Sequence, residues 1–267
     1  MDYALIDSGD QKKLERFGKL HLVRPCPQAL WEPRRAWDEA DAAFDRDDGW
    51  SKKRSLPTEW TVEIEGIKLK LKRTDFGHLG IFPEQIPLWK WIQSQVTTRE
   101  TPNVLNLFAY SGGATLSAAR AGAKVCHLDA AKGMVTWARE NAALSGLEKA
   151  PVRWIVDDAL KFLGREERRG VRYDGIILDP PTFGRGAQGE VFKIEEDLPT
   201  LLQACKSLLA EKPLFFLLSC HTPGFTPLVL QQILQDHFPE YEMETGEMML
   251  SAERSIPSGC YARWSRV

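Results

Sequence analysis

Two apolar runs in this chain end on side chains that can do chemistry. YDGIILDPPTF closes on Asp179 and is followed by Pro180 and Pro181, while PLFFLLSCHTPGF closes on Cys220. Each proline removes an N–H and holds φ near roughly −65°, so the first turn is stiff and presents acceptors. Beside a carboxylate, such a turn suits a flat nitrogenous group such as a base amine. The thiol is a candidate nucleophile, since cysteine is the most reactive side chain at neutral pH and a nearby helix N-terminus lowers its pKa. Simpler readings stand beside these: two prolines also merely end a strand, and most cysteines are small core residues.

A second set of residues lies upstream. The apolar run Val104 to Phe108 contains Asn106 and leads into the small-residue turn Ala109, Tyr110, Ser111, Gly112, Gly113. Glycine lets a backbone approach a ligand closely. The turn lacks both the three-glycine spacing of dinucleotide sites and the GK[ST] ending of phosphate loops, so NAD and ATP are poor candidates. S-adenosylmethionine carries no phosphate and needs neither device. Asp129, followed by Ala130, ends the next run at the distance where an acid accepts from both ribose hydroxyls. In IVDDALKFL, Asp158 is placed to accept from an adenine amine and Ala159 to offer its backbone N–H. The alternative for Asp129, Asp157 and Asp158 is helix capping.

These residues must be positioned by strands with helices between them. Strands are expected near 104–108, 124–128, 152–156, 174–179 and 214–219, with helices near 113–121, 131–145, 158–168, 195–211 and 225–237. The tail reads as two further strands. This alternation predicts an α/β fold, a doubly wound, Rossmann-like, mostly parallel sheet of seven strands whose ligands sit beyond the carboxyl ends. The first hundred residues differ, with Trp31, Trp37, Trp50, Trp60, Trp89 and Trp91, an alternating hairpin from Trp60 to Leu71, and a helix from Gln85 to Thr98. They are expected to form a small α+β accessory domain, residues 1–98, ahead of a main domain at 99–267.

Composition sets the outer limits. Lys plus Arg number 35 and Asp plus Glu 37 among 267 residues, so no overall field favours nucleic acid and any such site is a local patch. Cys26, Cys126, Cys205, Cys220 and Cys260 lack paired short spacing, which argues against a zinc site and for a reducing, cytoplasmic setting. No apolar stretch is long enough to span a bilayer, and no membrane or metal partner is expected.

Taken together, Asn106-Leu107-Phe108-Ala109-Tyr110-Ser111-Gly112-Gly113, Asp129 with Asn141, Asp179-Pro180-Pro181-Thr182-Phe183 and Ser219-Cys220 resemble the class I S-adenosylmethionine-dependent methyltransferases. More narrowly, the stretch from Trp60 onward resembles the large-subunit rRNA 5-methylcytosine methyltransferases. The chain departs from them in His221, where serine or threonine is usual, in Asn106, where aspartate is common, and in lacking a recognisable PUA domain. The resemblance implies that Phe82 and Gln85 close over the cofactor, with Asn106, Phe108, Ala109, Tyr110, Ser111, Gly112, Asp129, Ala130, Asp158, Ala159 and Asp179 lining its site. It implies that Cys220 attacks carbon 6 of a cytosine so that carbon 5 takes the methyl group, while Asp179 holds the ring edge and Pro180, Pro181 and Phe183 face the substrate.

RNA, with rRNA foremost, is thus the expected partner, with Trp31, Trp37, Trp50 and Lys52-Lys53-Arg54 as candidate contacts. The alternative for them is a small-domain core and a solvated face. Two other functions compete: a methyltransferase for another base, a protein or a small molecule, and a non-catalytic RNA assembly factor that keeps the cofactor fold.

Overall fold

The computed structural model describes residues 2–52, 56–185 and 189–266, and the chain divides into two compact units. The first comprises residues 1–86 and 249–257, the second 87–248 and 258–267. Lys53 and Arg54 lie outside the described residues, as does the side chain of Lys52.

The first unit is built of strands. β1 (Tyr3–Gly9), β2 (Lys12–Phe17), β3 (Leu20–Pro25), β4 (Ala42–Asp45) and β5 (Gly49–Lys52) form one sheet in that order, and β6 (Glu59–Ile64) pairs with β7 (Ile67–Lys72) as a hairpin. In β7 the alternation of the sequence becomes alternation of burial, with Ile67, Leu69 and Leu71 wholly buried. The tryptophans expected as RNA contacts have internal tasks. Trp31 Nε1 donates to Ser8 O at 2.9 Å, Trp37 Nε1 to Asp7 Oδ2 at 3.0 Å and Trp50 Nε1 to Thr74 O at 2.9 Å.

The helix expected to make this region α+β, α1 (Ile86–Val96), belongs to the second unit from Pro87 onward. The reason is its apolar stripe. Leu88, Ile92 and Val96 recur at helical spacing and pack with Val104, Val125 and Leu217.

In the second unit follow β8 (Asn103–Leu107), α2 (Gly113–Arg120), β9 (Lys124–Asp129), α3 (Lys132–Leu144), β10 (Val152–Val156), α4 (Ala159–Arg168) and β11 (Gly175–Leu178). A short hairpin, β12 (Phe183–Arg185) and β13 (Val191–Lys193), comes next, then α5 (Ile194–Ser207), β14 (Phe215–Cys220) and α6 (Pro227–His237). β15 (Glu244–Leu250) and β16 (Ile256–Ser265) complete it, apart from their connecting end, which counts with the first unit.

Among the described residues the main sheet has seven strands in the order β10-β9-β8-β11-β14-β16-β15, the first five parallel and β16 antiparallel to β14. The predicted doubly wound sheet is therefore present. Its order reverses between β8 and β11, so the ends of these strands and their neighbours border one crevice. The parallel strands read as nearly unbroken apolar runs because helices cover both faces.

Candidate functional site

The turn after β8 is tightly held. Phe108 (φ 54°), Tyr110 (φ 50°) and Gly112 (φ 92°) all lie in the left-handed region, which two non-glycine residues enter only under constraint. The constraint comes from β9 and α3. Ala109 N donates to Leu128 O at 3.0 Å, Tyr110 N to Asp129 Oδ2 at 2.9 Å, and Asn141 Nδ2 to the Ser111 carbonyl at 2.9 Å.

The glycines have local reasons. A Cβ on Gly112 would stand 3.0 Å from the Ala138 Cβ, and one on Gly113 would overlap the Trp89 ring. Both are required by helix packing and, at Gly112, by φ, whereas the sequence suggested close approach to a ligand.

Asp129 is half-buried at the end of β9, with Oδ1 accepting from Ala131 N at 2.9 Å. Burial pushes its carboxyl above the ordinary range, and the two backbone N–H groups pull it partly back. It is not the helix cap: Ala131 holds the N-cap position of α3, with no side-chain cap bond. Each carboxylate oxygen retains an acceptor direction beyond its one backbone bond.

At the end of β10 the capping alternative is realised by Asp158, whose Oδ1 accepts from Lys161 N at 2.9 Å. Asp157 instead accepts from Asp158 N at 2.9 Å and pairs with Arg165. Ala159 begins α4, where a backbone N–H has no partner within its own helix.

Asn106 is 2% exposed and its amide donates to Thr115 Oγ1 at 2.9 Å, which in turn meets His127 Nδ1 at 2.9 Å. This residue belongs to a buried chain between the sheet and α2, not to the mouth. Ser111 is also buried, while Phe108, Tyr110 and Ala130 are half-buried.

The other half of the mouth joins the ends of β11 and β14. Asp179 Oδ1 accepts from Ser219 Oγ at 2.7 Å and lies 3.6 Å from His221 Nδ1. The Thr182 and Thr222 hydroxyls share a hydrogen bond of 2.8 Å, tying the two following loops together. Cys220 faces the other way, as alternation along a strand requires. It is 1% exposed and packs with Leu230, Leu234 and Cys260, and Thr222 N donates to its sulfur at 3.4 Å. Burial pushes its thiol up, the reverse of the activation a helix N-terminus would provide.

Sequence reasoning missed the β12–β13 hairpin directly after Pro180 and Pro181. Its strands have three residues each, too few for a period to register. Phe183 is 51% exposed on it, whereas Phe192 is buried against Phe108 with ring centroids 5.2 Å apart. Phe82 and Gln85 lie in the first unit, flanking and closing the short 3-10 turn Pro83–Gln85.

The set fits a nucleoside without phosphate. The N–H groups of Ala109, Tyr110 and Gly112 are already donated, to Leu128, Asp129 and Ala109, so the turn is not an amide cradle for an anion. What it offers instead are carboxylates at the ends of β9 and β10 and half-buried aromatic faces.

Comparison with known proteins agrees with this. The profile of the S-adenosylmethionine-dependent methyltransferase family matches residues 41–231. A crystal structure of a SAM-dependent methyltransferase from Agrobacterium tumefaciens is 40% identical, covers 99% of this chain and 90% of that one, and superposes with a TM-score of 0.95. The protein SMU.776, crystallised with SAH, is 18% identical over 98% of this chain and 75% of its own, with a TM-score of 0.80, and shares the fold. Curated relatives include the ribosomal RNA large subunit methyltransferases K/L of Marinobacter nauticus, 29% identical over 73% of this chain, and of Shewanella frigidimarina, 33% identical over 57%. The chain spans about a quarter of their length, 26% and 21%. Fold and family profile coincide: the chain belongs to the S-adenosylmethionine-dependent methyltransferases, and its cofactor is S-adenosylmethionine.

Proposed function

We propose that the chain methylates RNA, with large-subunit ribosomal RNA as the leading substrate. The observation that carries this reading is the polar mouth at Asp179. A half-buried carboxylate there, steadied by Ser219 at 2.7 Å, stands before two prolines and an exposed phenylalanine. Such a group can accept N–H bonds from the edge of a target base, and an exposed aromatic ring close after it is the kind of surface on which a nucleic-acid strand stacks. The ribosomal RNA methyltransferases among the relatives support the same substrate class.

Bound S-adenosylmethionine supplies an electrophilic methyl group. The chain's residues do the rest. Asp129 would accept from the ribose hydroxyls with the lone pairs its backbone bonds leave, and the Asp158 carboxylate, with the oxygen its capping bond does not use, and the Ala159 N–H would meet the adenine edge. Phe108 and Tyr110 flank the site. Asp179 orients the base, with Pro180 and Pro181 keeping its turn rigid.

At the level of the accepting atom, two chemistries compete. Transfer to carbon 5 of cytosine needs a Cys220 adduct, and the place of Cys220 on the strand neighbouring Asp179 favours it. Against it stand 1% exposure, apolar surroundings and a raised thiol pKa. A base nitrogen needs no adduct, and the acceptor at Asp179 suits one, so we favour transfer to nitrogen.

The test is incubation with tritiated S-adenosylmethionine and RNA lacking the modification, followed by nucleoside analysis. A labelled nucleoside methylated on nitrogen is expected. Label on carbon 5 of cytosine would restore the Cys220 route, and label only in protein or small molecules would overturn the RNA substrate.

A further inference from the structure

The β12–β13 hairpin separates its residues cleanly by face. Its register pairs Phe183 with Lys193, Gly184 with Phe192 and Arg185 with Val191. Side chains on one face alternate along each strand and sit opposite one another across the pair. Phe183, Arg185, Val191 and Lys193 therefore share one face, and all four are exposed. On the reverse face Phe192 is 9% exposed and packs on Phe108.

The hairpin is anchored at its base and flank. Ile194 N donates to Thr182 O at 3.2 Å, and Glu190 pairs with Lys161 of α4. An anchored element that leaves two large apolar side chains about half in water, Phe183 and Val191 at 51% each, has a surface left for something else to cover.

The occupant is indicated by chemistry and position. The Arg185 guanidinium lies over the Phe183 ring, 5.6 Å from its centroid, leaving a π-face beside a cation. Lys193, across from Phe183, is held by Glu196 at 2.8 Å, a surface pair that a phosphate can displace at little cost. A base-stacking face with adjoining cations is the pattern that grips single-stranded nucleic acid. It begins four residues after Asp179.

We infer that the outward face of this hairpin binds the RNA strand next to the target nucleotide. Phe183 stacks a flanking base, Arg185 and Lys193 meet the phosphates on either side, and Val191 contacts the sugar. This inference rests on the RNA reading above and adds to it the element that grips the strand.

The test uses the full chain and protein-free RNA lacking the modification, with Phe183→Ala and Arg185→Glu made singly and together, and Phe183→Tyr and Arg185→Lys as conservative replacements. The expected result is a rise in KM for RNA of about ten-fold or more in the double variant, a weaker salt dependence for Arg185→Glu, and recovery in the conservative variants. Affinity for S-adenosylmethionine should stay within about two-fold, which a collapsed hairpin could not maintain because Phe192 supports Phe108. Wild-type methylation of RNA together with an unchanged KM in the double variant would overturn the hairpin's role and leave the RNA substrate standing. Failure of the wild-type chain to methylate any RNA would overturn both. A defect seen on ribosomal particles but not on protein-free RNA would assign the face to a protein partner and overturn the inference, as would a loss of cofactor affinity matching the loss of activity.

Discussion

Asp129 and Asn141 hold one turn from opposite ends: Asp129 accepts from Tyr110 N and Asn141 donates to the Ser111 carbonyl, each at 2.9 Å. Two adjacent residues of the turn after β8 are thereby fixed by two different elements, β9 and α3. The strained φ values of Phe108 and Tyr110 depend on that grip.

Removing either hold should loosen the cofactor site. Asp129→Ala is expected to weaken S-adenosylmethionine binding by about 1–3 kcal/mol, losing the proposed ribose acceptor and the turn support together. Asn141→Ala, at a fully buried site, should lower stability by about 1–3 kcal/mol and weaken the cofactor through the turn alone. Calorimetric titration and urea unfolding measure the two effects, and full affinity in Asp129→Ala would remove its ribose role.

Cys220→Ala should leave methyl transfer to RNA within about three-fold of wild type while costing roughly 1–2 kcal/mol of stability, because the sulfur fills core space. Abolished transfer with retained cofactor affinity would mean that the buried thiol becomes accessible during the reaction.

Gly113→Ala places a methyl group inside the Trp89 ring, and Gly112→Ala meets Ala138 at 3.0 Å with φ at 92°. Each is expected to cost about 1–3 kcal/mol in chemical denaturation. Equal midpoints for the variants and the wild type would show that α1 and α2 can shift freely.

His127 gives the fold a dependence on acid. It is fully buried, and burial holds its imidazole near 3 against an ordinary 6.5. Below pH 6.5 the unfolded chain takes the proton and the folded one does not, so this contribution is full above 6.5 and is lost as the pH falls toward 3. One proton amounts to about 1.4 kcal/mol per pH unit, or about 2 kcal/mol by pH 5. Urea midpoints measured near neutrality and near pH 5 should separate for wild type and converge for His127→Gln. The same slope in both would place the acid sensitivity elsewhere.

The order of strands and helices in the second unit was legible in the chain because buried parallel strands must be apolar throughout and helices need an apolar stripe. β9 and α3 fall within a residue or so of where those patterns place them. The strand-end acids were legible for a related reason: topology puts ligands there, and Asp129 ends β9 while Asp179 directly follows β11.

Facing was decided only in the folded protein. Ser219 and Cys220 are neighbours in sequence, yet one strand turns the first toward Asp179 and the second into the apolar layer under α6. A run in which every residue is apolar or small carries no period from which that direction can be read. The five-stranded sheet of the first unit and the β12–β13 hairpin were hidden for other reasons. β4, β5, β12 and β13 have three or four residues each, too few for a period, and the buried polar residues Asp7, Ser8, Glu15 and Arg24 blur the alternation of β1 to β3, since the partner that makes such burial tolerable, as Glu15 is for Arg24, exists only in the folded protein.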